Sequence, residues 1–428
     1  MEPLTLQPIK RLLGDVTLPG SKSLSNRALL LSSLASGTTE LTNLLRSDDI
    51  ERMVDALQQL AIKLDLSDNW QSCTIAGNGG LFDPPVNTRF FLGNAGTAIR
   101  PLTAVLSLID SEFEIDGDEY MRERPIAHLT DALGDLGARI SFLMKDGCPP
   151  FKMQGGRVSG GNISLPGNIS SQYLTALLMA LPLCDSDTTI SIVGEQVSKP
   201  YLDLTLGMME VFGVDANHDH YQTFHVPARQ SYLSPGKYLI EGDASSGSYF
   251  FAGAAVAGGK VTVHGLGRNS VQGDIQFLNA IESMGASVTR HADRIEVSST
   301  GKLRGVDLDL NHIPDAAMTL AALALFAEGR TTIRNIYNWR VKETDRMHAM
   351  AEGLIRLGAK VETTSDTITI EPPAKIQSAT INPYGDHRVA MSFSLAALSD
   401  ASVTIEEPGC TRKTFPNYFD VLDSVSIY

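Results

Sequence analysis

The sequence predicts an α/β protein of two domains, built from six β-α-β-α-β-β units with three in each domain. Three observations predict it: a helix-start motif that recurs at a steady interval, a strand and second helix after each copy, and a mismatch between the two chain ends. The motif is a short β-type run, a Gly or Pro, a capping residue and an apolar helix. It reads "LPGSKS", "FLGNAGT", "LPGNISS", "IEGDASS", "HIPDAAM" and "PYGDHRV". Its turn residues Gly20, Gly93, Gly167, Gly242, Pro314 and Gly385 are 73, 74, 75, 72 and 71 residues apart. Such register along a whole chain marks an internal repeat.

Each element follows from local chemistry. The residue after each turn is Ser21, Asn94, Asn168, Asp243, Asp315 or Asp386, all favoured N-caps. The β-branched runs "GTTELTNL", "GKVTVHGL" and "RTTIRNI" predict a strand after the first helix. A second, amphipathic helix then ends at Gly137, Gly213, Gly285 or Gly358, because glycine enters the left-handed region past a helix end without strain. Alternating runs around Arg294–Ser299 and Thr367–Pro372 predict a closing hairpin. The last unit is incomplete: after a helix over Pro416–Ser424 the chain stops at Tyr428 without closing strands. A spare strand-like run, "PLTLQPI", precedes the first unit and is expected to complete the last one. The N-terminal domain is then residues 21–241, and the C-terminal domain is 1–20 plus 242–428. A hinge is expected near 20 and 241, with the ligand cleft between the halves.

Composition narrows the function. The chain has 428 residues, 43% hydrophobic and 20% charged, with a formal net charge of −14. That acidity argues against nucleic-acid binding, which calls for a basic face. Cys73, Cys148, Cys184 and Cys410 are scattered without a Cys-x-x-Cys pair, so neither a disulfide framework nor a zinc site is expected. The start lacks an apolar signal core, and runs such as Ala316–Ala327 are too short to span a bilayer. A cytoplasmic protein with no membrane association is expected.

Against this acidic background, cations gather at the motif turns and at the loops before the second helices. They are Lys22, Arg27, Arg100, Arg124, Lys199, Lys342, Arg346, Arg388 and Lys413. Any one of them alone reads as a solvated or salt-bridged surface charge. Their recurrence at equivalent places, beside helix starts whose unpaired N–H groups favour anions, points to small ligands carrying phosphate and carboxylate. Ser170, Ser171, Gln172 and Ser198 add hydroxyl and amide donors. On the residues alone Asp315 is a helix cap like Asp243, and Glu343 is an exposed i,i+3 partner of Arg346. His312 and His387 sit at helix starts, and no His/Cys/carboxylate cluster has metal-ligand spacing.

The segments "LPGSKSLSNRALLL", "LGNAGTAIRP", "RERPI", "SSQYLTALLMA", "EGDASS", "NHIPDAAMT", "NWRVKETDR" and "YGDHRVAM" resemble, in order and over the whole chain, the signatures of the 5-enolpyruvylshikimate-3-phosphate synthase family of enolpyruvyl transferases. The resemblance implies a two-domain inside-out α/β barrel with the active site in the interdomain cleft. It implies transfer of the enolpyruvyl group of phosphoenolpyruvate to the 5-hydroxyl of shikimate 3-phosphate by addition and elimination, releasing phosphate, in aromatic amino acid biosynthesis. No cofactor and no metal are implied.

Carried over by residue, the resemblance makes Asp315 the proton acceptor and Glu343 the proton donor, with Lys22 also catalytic. Shikimate 3-phosphate is expected on Lys22, Ser23, Arg27, Ser170, Ser171, Gln172, Ser198, Asp315, Asn338 and Lys342. Phosphoenolpyruvate is expected on Lys22, Gly96, Arg124, Gln172, Arg346, Arg388 and Lys413. Arg100 and Lys199 carry no direct ligand role. A monomer that closes on its substrates and is inhibited by glyphosate is expected. The nearest rival is the related transferase acting on UDP-N-acetylglucosamine, which is expected to carry a reactive Cys where this chain reads "DGDEYMRERP". A P-loop enzyme lacks its Gly-x-x-x-x-Gly-Lys spacing here, and a repeat scaffold leaves the converging cations unexplained.

Overall fold

The computed structural model describes residues 2–84, 88–256 and 258–428. Two units partition the chain, one of Gly20–Ile240 and one of Met1–Pro19 with Glu241–Tyr428. Each unit has its own apolar core.

In the unit Gly20–Ile240, three four-stranded sheets share one order. Thr88–Phe91 runs parallel to Glu112–Asp116, which pairs antiparallel with Phe151–Gln154, which in turn pairs antiparallel with Arg139–Phe142. Asn162–Pro166, Thr188–Val193, Thr223–Val226 and Asn217–Asp219 repeat this pattern. In the remaining sheet the parallel outer strand is Lys237–Leu239, from the far end of the unit, set beside Thr38–Thr42. The other unit repeats the arrangement with Asp307–Asp309, Thr331–Arg334, Ile368–Glu371 and Lys360–Thr363. It does so again with Arg11–Thr17, Lys260–His264, Arg294–Ser298 and Ser287–Arg290.

The chain ends depart from expectation in one respect. Leu4–Leu6 pairs antiparallel with Val403–Ile405, beside Ala379–Ile381. The C-terminus does not simply stop after its helix, because Ser426–Ile427 pairs with Arg11–Leu12 in a different sheet.

Sequence dictates which helices sit inside. The helices that follow the six turns are small and apolar nearly all round, and such helices are buried on every face. Every residue of Ala244–Ala255, Ala316–Leu323 and His387–Ser394 is buried. Lys22–Leu34, Gly96–Leu106 and Ser171–Ala180 are buried but for Ser23, Thr97 and Gln172. Small polar side chains stitch them together: Ser248 Oγ lies 2.7 Å from Thr319 Oγ1, and Asn26 Nδ2 donates to Thr97 Oγ1 at 2.6 Å. The second helices, such as Asp48–Gln59 and Arg346–Arg356, bury one face only. Among the described residues no helix is long and apolar enough to cross a membrane.

The helix ends follow the glycine logic, with φ of +115°, +77°, +111° and +98° at Gly137, Gly213, Gly285 and Gly358. The helix starts follow the cap logic only in part. Asp243 and Asp386 accept cap bonds from Ser246 and Arg388 N–H. Ser21 stands at its N-cap without a side-chain bond. The N-caps of the second and third buried helices are Ala95 and Ser170, not Asn94 and Asn168.

Two glycines at one helix end separate these effects. A Cβ on Gly134, inside helix Ala127–Asp135, meets nothing within 4 Å, whereas on Gly137 it would lie 2.5 Å from the Arg157 carbonyl oxygen at positive φ. Gly134→Ala should stabilise the protein by about 0.5–1 kcal/mol, and Gly137→Ala should destabilise it by at least about 1 kcal/mol. Urea unfolding midpoints of the two variants check both signs.

Candidate active site

The buried helices deliver their first residues, and the loops before the second helices deliver the rest, into one polar cluster in each unit. In the unit Met1–Pro19 with Glu241–Tyr428 the centre is Arg346, whose side chain is 1% exposed. Its guanidinium bonds three carboxylates: Nη1 to Asp315 at 2.6 Å, Nη2 to Glu343 at 3.0 Å and Nε to Asp386 at 2.7 Å. Arg388 Nη2 lies 2.9 Å from the other oxygen of Asp315, and Lys413 Nζ lies 3.5 Å from Glu343. Trp339 Nε1 donates to the Pro314 carbonyl at 2.7 Å, pinning the turn Tyr337–Val341 beside the start of helix Ala316–Leu323. That turn carries Asn338, 1% exposed, whose amide has no hydrogen-bond partner on either atom among the described residues. A buried amide left so is costly unless something else satisfies it.

The electrostatics correct two expectations. Asp315 holds the N-cap position yet accepts no cap bond; its oxygens go to the two guanidinium groups instead. Burial alone would raise its pKa, but Arg388, Arg346 and Lys342 outweigh that and hold the carboxyl well below the usual range. Glu343 is not an exposed partner of Arg346, since its side chain is only 9% exposed. For Arg346, burial pulls the pKa down, and Asp386, Glu343 and Asp315 together push it above the ordinary arginine value.

The cluster in Gly20–Ile240 is built differently. Arg27, 5% exposed, donates to Thr205 Oγ1 at 2.9 Å, to the Ser23 carbonyl at 2.9 Å and to Thr175 Oγ1 at 3.4 Å, all neutral acceptors. Burial lowers its pKa to about 10. Lys22 faces Asp49 at 3.3 Å. Arg124 Nη1 donates to Asn94 Oδ1 at 2.8 Å, so Asn94 serves as a guanidinium acceptor rather than a cap, and Arg124 Nε is buried without a partner among the described residues. A Cβ on Gly96 would sit 2.7 Å from Arg100 Nη1 and 2.8 Å from Arg124 Nη2. Arg100 donates to the Pro125 carbonyl at 3.1 Å, which also accepts from Tyr173 Oη at 2.8 Å. These bonds tie Arg124 to helix Ser171–Ala180, whose start holds Ser170, Ser171 and Gln172; Ser170 Oγ accepts from Gln172 N–H. Ser198, 4% exposed, holds a left-handed conformation at φ +53°, strain of a kind that collects at functional positions. Lys199 faces away into a pair with Glu195 at 3.3 Å.

Sequence reasoning missed the partners that hold these cations: Asp49, Asp386 and Asn94. Asp386 and Asn94 read from sequence only as caps. All four cysteines are free, and no metal-binding group of His, Cys, Asp and Glu is present among the described residues.

The family model for EPSP synthase (3-phosphoshikimate 1-carboxyvinyltransferase) matches residues 6–422. Relatives named 3-phosphoshikimate 1-carboxyvinyltransferase include one from Photobacterium damsela subsp. piscicida, 56% identical, and one from Aliivibrio fischeri, 55% identical, each over 426 residues and 100% of both chains. Among solved structures, an EPSP synthase from Acinetobacter baumannii superposes with a TM-score of 0.84 at 26% identity, over 100% of this chain and 98% of that one. The enolpyruvyl transferase NikO from Streptomyces tendae does so at 0.77 and 18% identity, over 100% and 98%, which bears on the fold alone. The fold is thus the mixed, many-sheeted α/β fold of those proteins.

Removing one carboxylate from Arg346 tests the core of this arrangement. Asp386→Ala should destabilise the protein by about 3–5 kcal/mol, the cost of stranding a buried charge. Asp386→Asn keeps an acceptor for the Arg388 N–H and should cost less; chemical denaturation distinguishes the two.

Proposed function

The chain belongs to the EPSP synthase family, and we propose that its two clusters divide the work of that family's reaction between proton transfer and anion binding. The reaction moves the enolpyruvyl group of phosphoenolpyruvate to shikimate 3-phosphate and serves aromatic biosynthesis. The observation that carries the division is the contrast in partners. Arg346 and Arg388 are held by carboxylates that can exchange protons, whereas Arg27 and Arg124 are held by neutral acceptors.

Asp315 is the proton acceptor in this reading. Bound to two guanidinium groups it is a poor base, and the phosphate and carboxylate of phosphoenolpyruvate compete for those same groups. As the substrate takes over Arg346 and Arg388, Asp315 loses the charges that depress its pKa and gains basicity toward the attacking hydroxyl. Glu343, released by the same exchange and still beside Lys413, takes up a proton from solvent and delivers it to the methylene carbon as the hydroxyl oxygen bonds to C2; loss of a proton from the new methyl group and departure of phosphate from C2 then restore the double bond. Arg124, Gly96 and Lys22 complete the phosphoenolpyruvate contacts, with Gln172 shared. Arg27 and Ser23 hold the carboxylate and hydroxyl side of shikimate 3-phosphate; Ser170, Ser171, Ser198 and Lys342 hold its phosphate, with Asn338 hydrogen-bonding. A phosphate or carboxylate on Arg27 supplies the counter-charge its neutral partners lack. The recurring sheet order supports reading the six units as that family's inside-out α/β barrel, three units to a domain, with the enzyme acting as a monomer.

Phosphate release from shikimate 3-phosphate and phosphoenolpyruvate is the direct assay, and UDP-N-acetylglucosamine should not replace the former substrate. Asp315→Asn and Glu343→Gln should each lower kcat by about 100-fold or more while shikimate 3-phosphate still binds by calorimetry. Retained turnover in either variant would remove that residue from the mechanism.

Gly96→Ala presses on two guanidinium groups of the phosphoenolpyruvate side. It should weaken glyphosate inhibition more than it raises KM for shikimate 3-phosphate. Equal effects on both would show that Gly96 does not border the phosphoenolpyruvate site.

A further inference from the structure

Helix Arg346–Arg356 holds the segment that leads to Arg388 by side-chain bonds at three points, and the middle one has no part in the roles assigned above. At the helix start Arg346 Nε donates to Asp386 Oδ2 at 2.7 Å. Midway, Tyr384 Oη donates to Glu352 Oε2. At the helix end Arg356 Nη1 donates to the Thr380 carbonyl at 3.3 Å. Helix positions 346, 352 and 356 thus meet chain positions 386, 384 and 380, an antiparallel ladder. Glu352 is itself fixed, because its other oxygen accepts from Arg356 Nε at 3.0 Å and Nη2 at 2.6 Å. The Tyr384 ring stands edge-on to that of His348, one turn before Glu352, with centroids 5.8 Å apart.

Tyr384 sits at φ +53°, a left-handed conformation that a bulky side chain keeps only where its surroundings over-determine it. Its N–H donates to Asn382 Oδ1 at 2.7 Å, and its hydroxyl goes to Glu352. Short bonds carry the turn from there to the guanidinium. Asp386 N–H donates to the Pro383 carbonyl at 2.9 Å, Arg388 N–H donates to Asp386 Oδ1 at 2.9 Å, and Arg388 Nη2 lies 2.9 Å from Asp315.

We propose that Tyr384, anchored on Glu352, is a positioning residue for the reaction, holding the turn that aims Arg388 at phosphoenolpyruvate. The proposal rests on the reading that Arg346 and Arg388 bind that substrate. On that reading the arriving anion competes with Asp386 for Arg346, so the first rung of the ladder loosens as the substrate binds. The bond between Tyr384 and Glu352 involves neither cation, and it keeps the strained turn in place while the exchange proceeds. Its loss is therefore felt in the binding of phosphoenolpyruvate and not in that of shikimate 3-phosphate.

Steady-state kinetics of Tyr384→Phe, which removes the hydroxyl and keeps the ring, check this. KM for phosphoenolpyruvate should rise about threefold or more, as expected for loss of a hydrogen bond to a charged group. KM for shikimate 3-phosphate should move less than about twofold. Glu352→Ala should match Tyr384→Phe, whereas Glu352→Gln, whose amide still bonds the Tyr384 hydroxyl, should stay near wild type. The double variant Tyr384→Phe with Glu352→Ala should be no worse than Glu352→Ala alone, since both changes break one bond. An unchanged KM for phosphoenolpyruvate in Tyr384→Phe, an equal rise in both KM values, additive effects in the double variant, or a Glu352→Gln as impaired as Glu352→Ala would overturn the proposal. If Tyr384→Phe does not fold, an unchanged KM in Glu352→Ala overturns it instead. Arg388→Gln keeps the two readings apart: an unchanged KM for phosphoenolpyruvate there defeats the parent assignment, whereas a raised KM there beside an unchanged one in Tyr384→Phe defeats only this one.

Discussion

A guanidinium removed from water must be answered by charge, and Arg346 sets the terms for everything around it. Burying one ion costs several kcal/mol even after relaxation. Here the answer comes from three carboxylates on three separate segments: Asp315 before one buried helix, Asp386 before another, and Glu343 in the loop ahead of Arg346's own helix. None of these segments can shift without leaving a buried charge short of a partner. The starts of helices Ala316–Leu323 and His387–Ser394 are therefore held in mutual register by electrostatics, while their apolar faces only require that they be inside.

The other unit solves the same difficulty in a different way. Arg27 rests on two threonine hydroxyls and a carbonyl, Arg124 on an asparagine and Arg100 on the Pro125 carbonyl. Neutral acceptors satisfy hydrogen bonds without cancelling charge, so Arg27, Arg100 and Arg124 keep theirs, while Lys22 alone of these is answered by a carboxylate, Asp49. A fully neutralised cluster suits chemistry in which protons change hands; a cluster left positive suits capture of phosphate and carboxylate. The net −14 of the chain makes the second arrangement conspicuous against an acidic background.

Much of the architecture was legible in the spacing of six turns and in four glycines that take positive φ, because both are local constraints written into single residues. Helix starts were harder. Asn94 and Asn168 have the right chemistry for caps, yet the helices begin after Ala95 and at Ser171; Asn94 has a stronger use as an acceptor for Arg124, and Asn168 lies exposed. Asp315 and Glu343 read locally as a cap and an exposed pair. Glu343 does pair with Arg346, though buried, and the further partners, Arg388 for Asp315 and Lys413 for Glu343, are 73 and 70 residues further along, beyond any local pattern. The pairing of Ser426–Ile427 with Arg11–Leu12 failed to show for the same reason: two short edge segments carry no signal of whom they will join.

Two outer strands pair with partners far away in the sequence. Lys237–Leu239 flanks Thr38–Thr42, while Arg11–Thr17 waits for Lys260–His264 and, later still, Ser426–Ile427. During synthesis the chain emerges from its N-terminus, so the unit Gly20–Ile240 has all its strands once residue 240 is out. The first nineteen residues, made before any of it, have no sheet to enter until the second half of the chain appears, and Leu4–Leu6 has none until Val403–Ile405 is made. Residues 4–17 are thus among the last to find their place, and a ribosome stalled midway would leave one finished globule joined to an unpaired, β-prone segment.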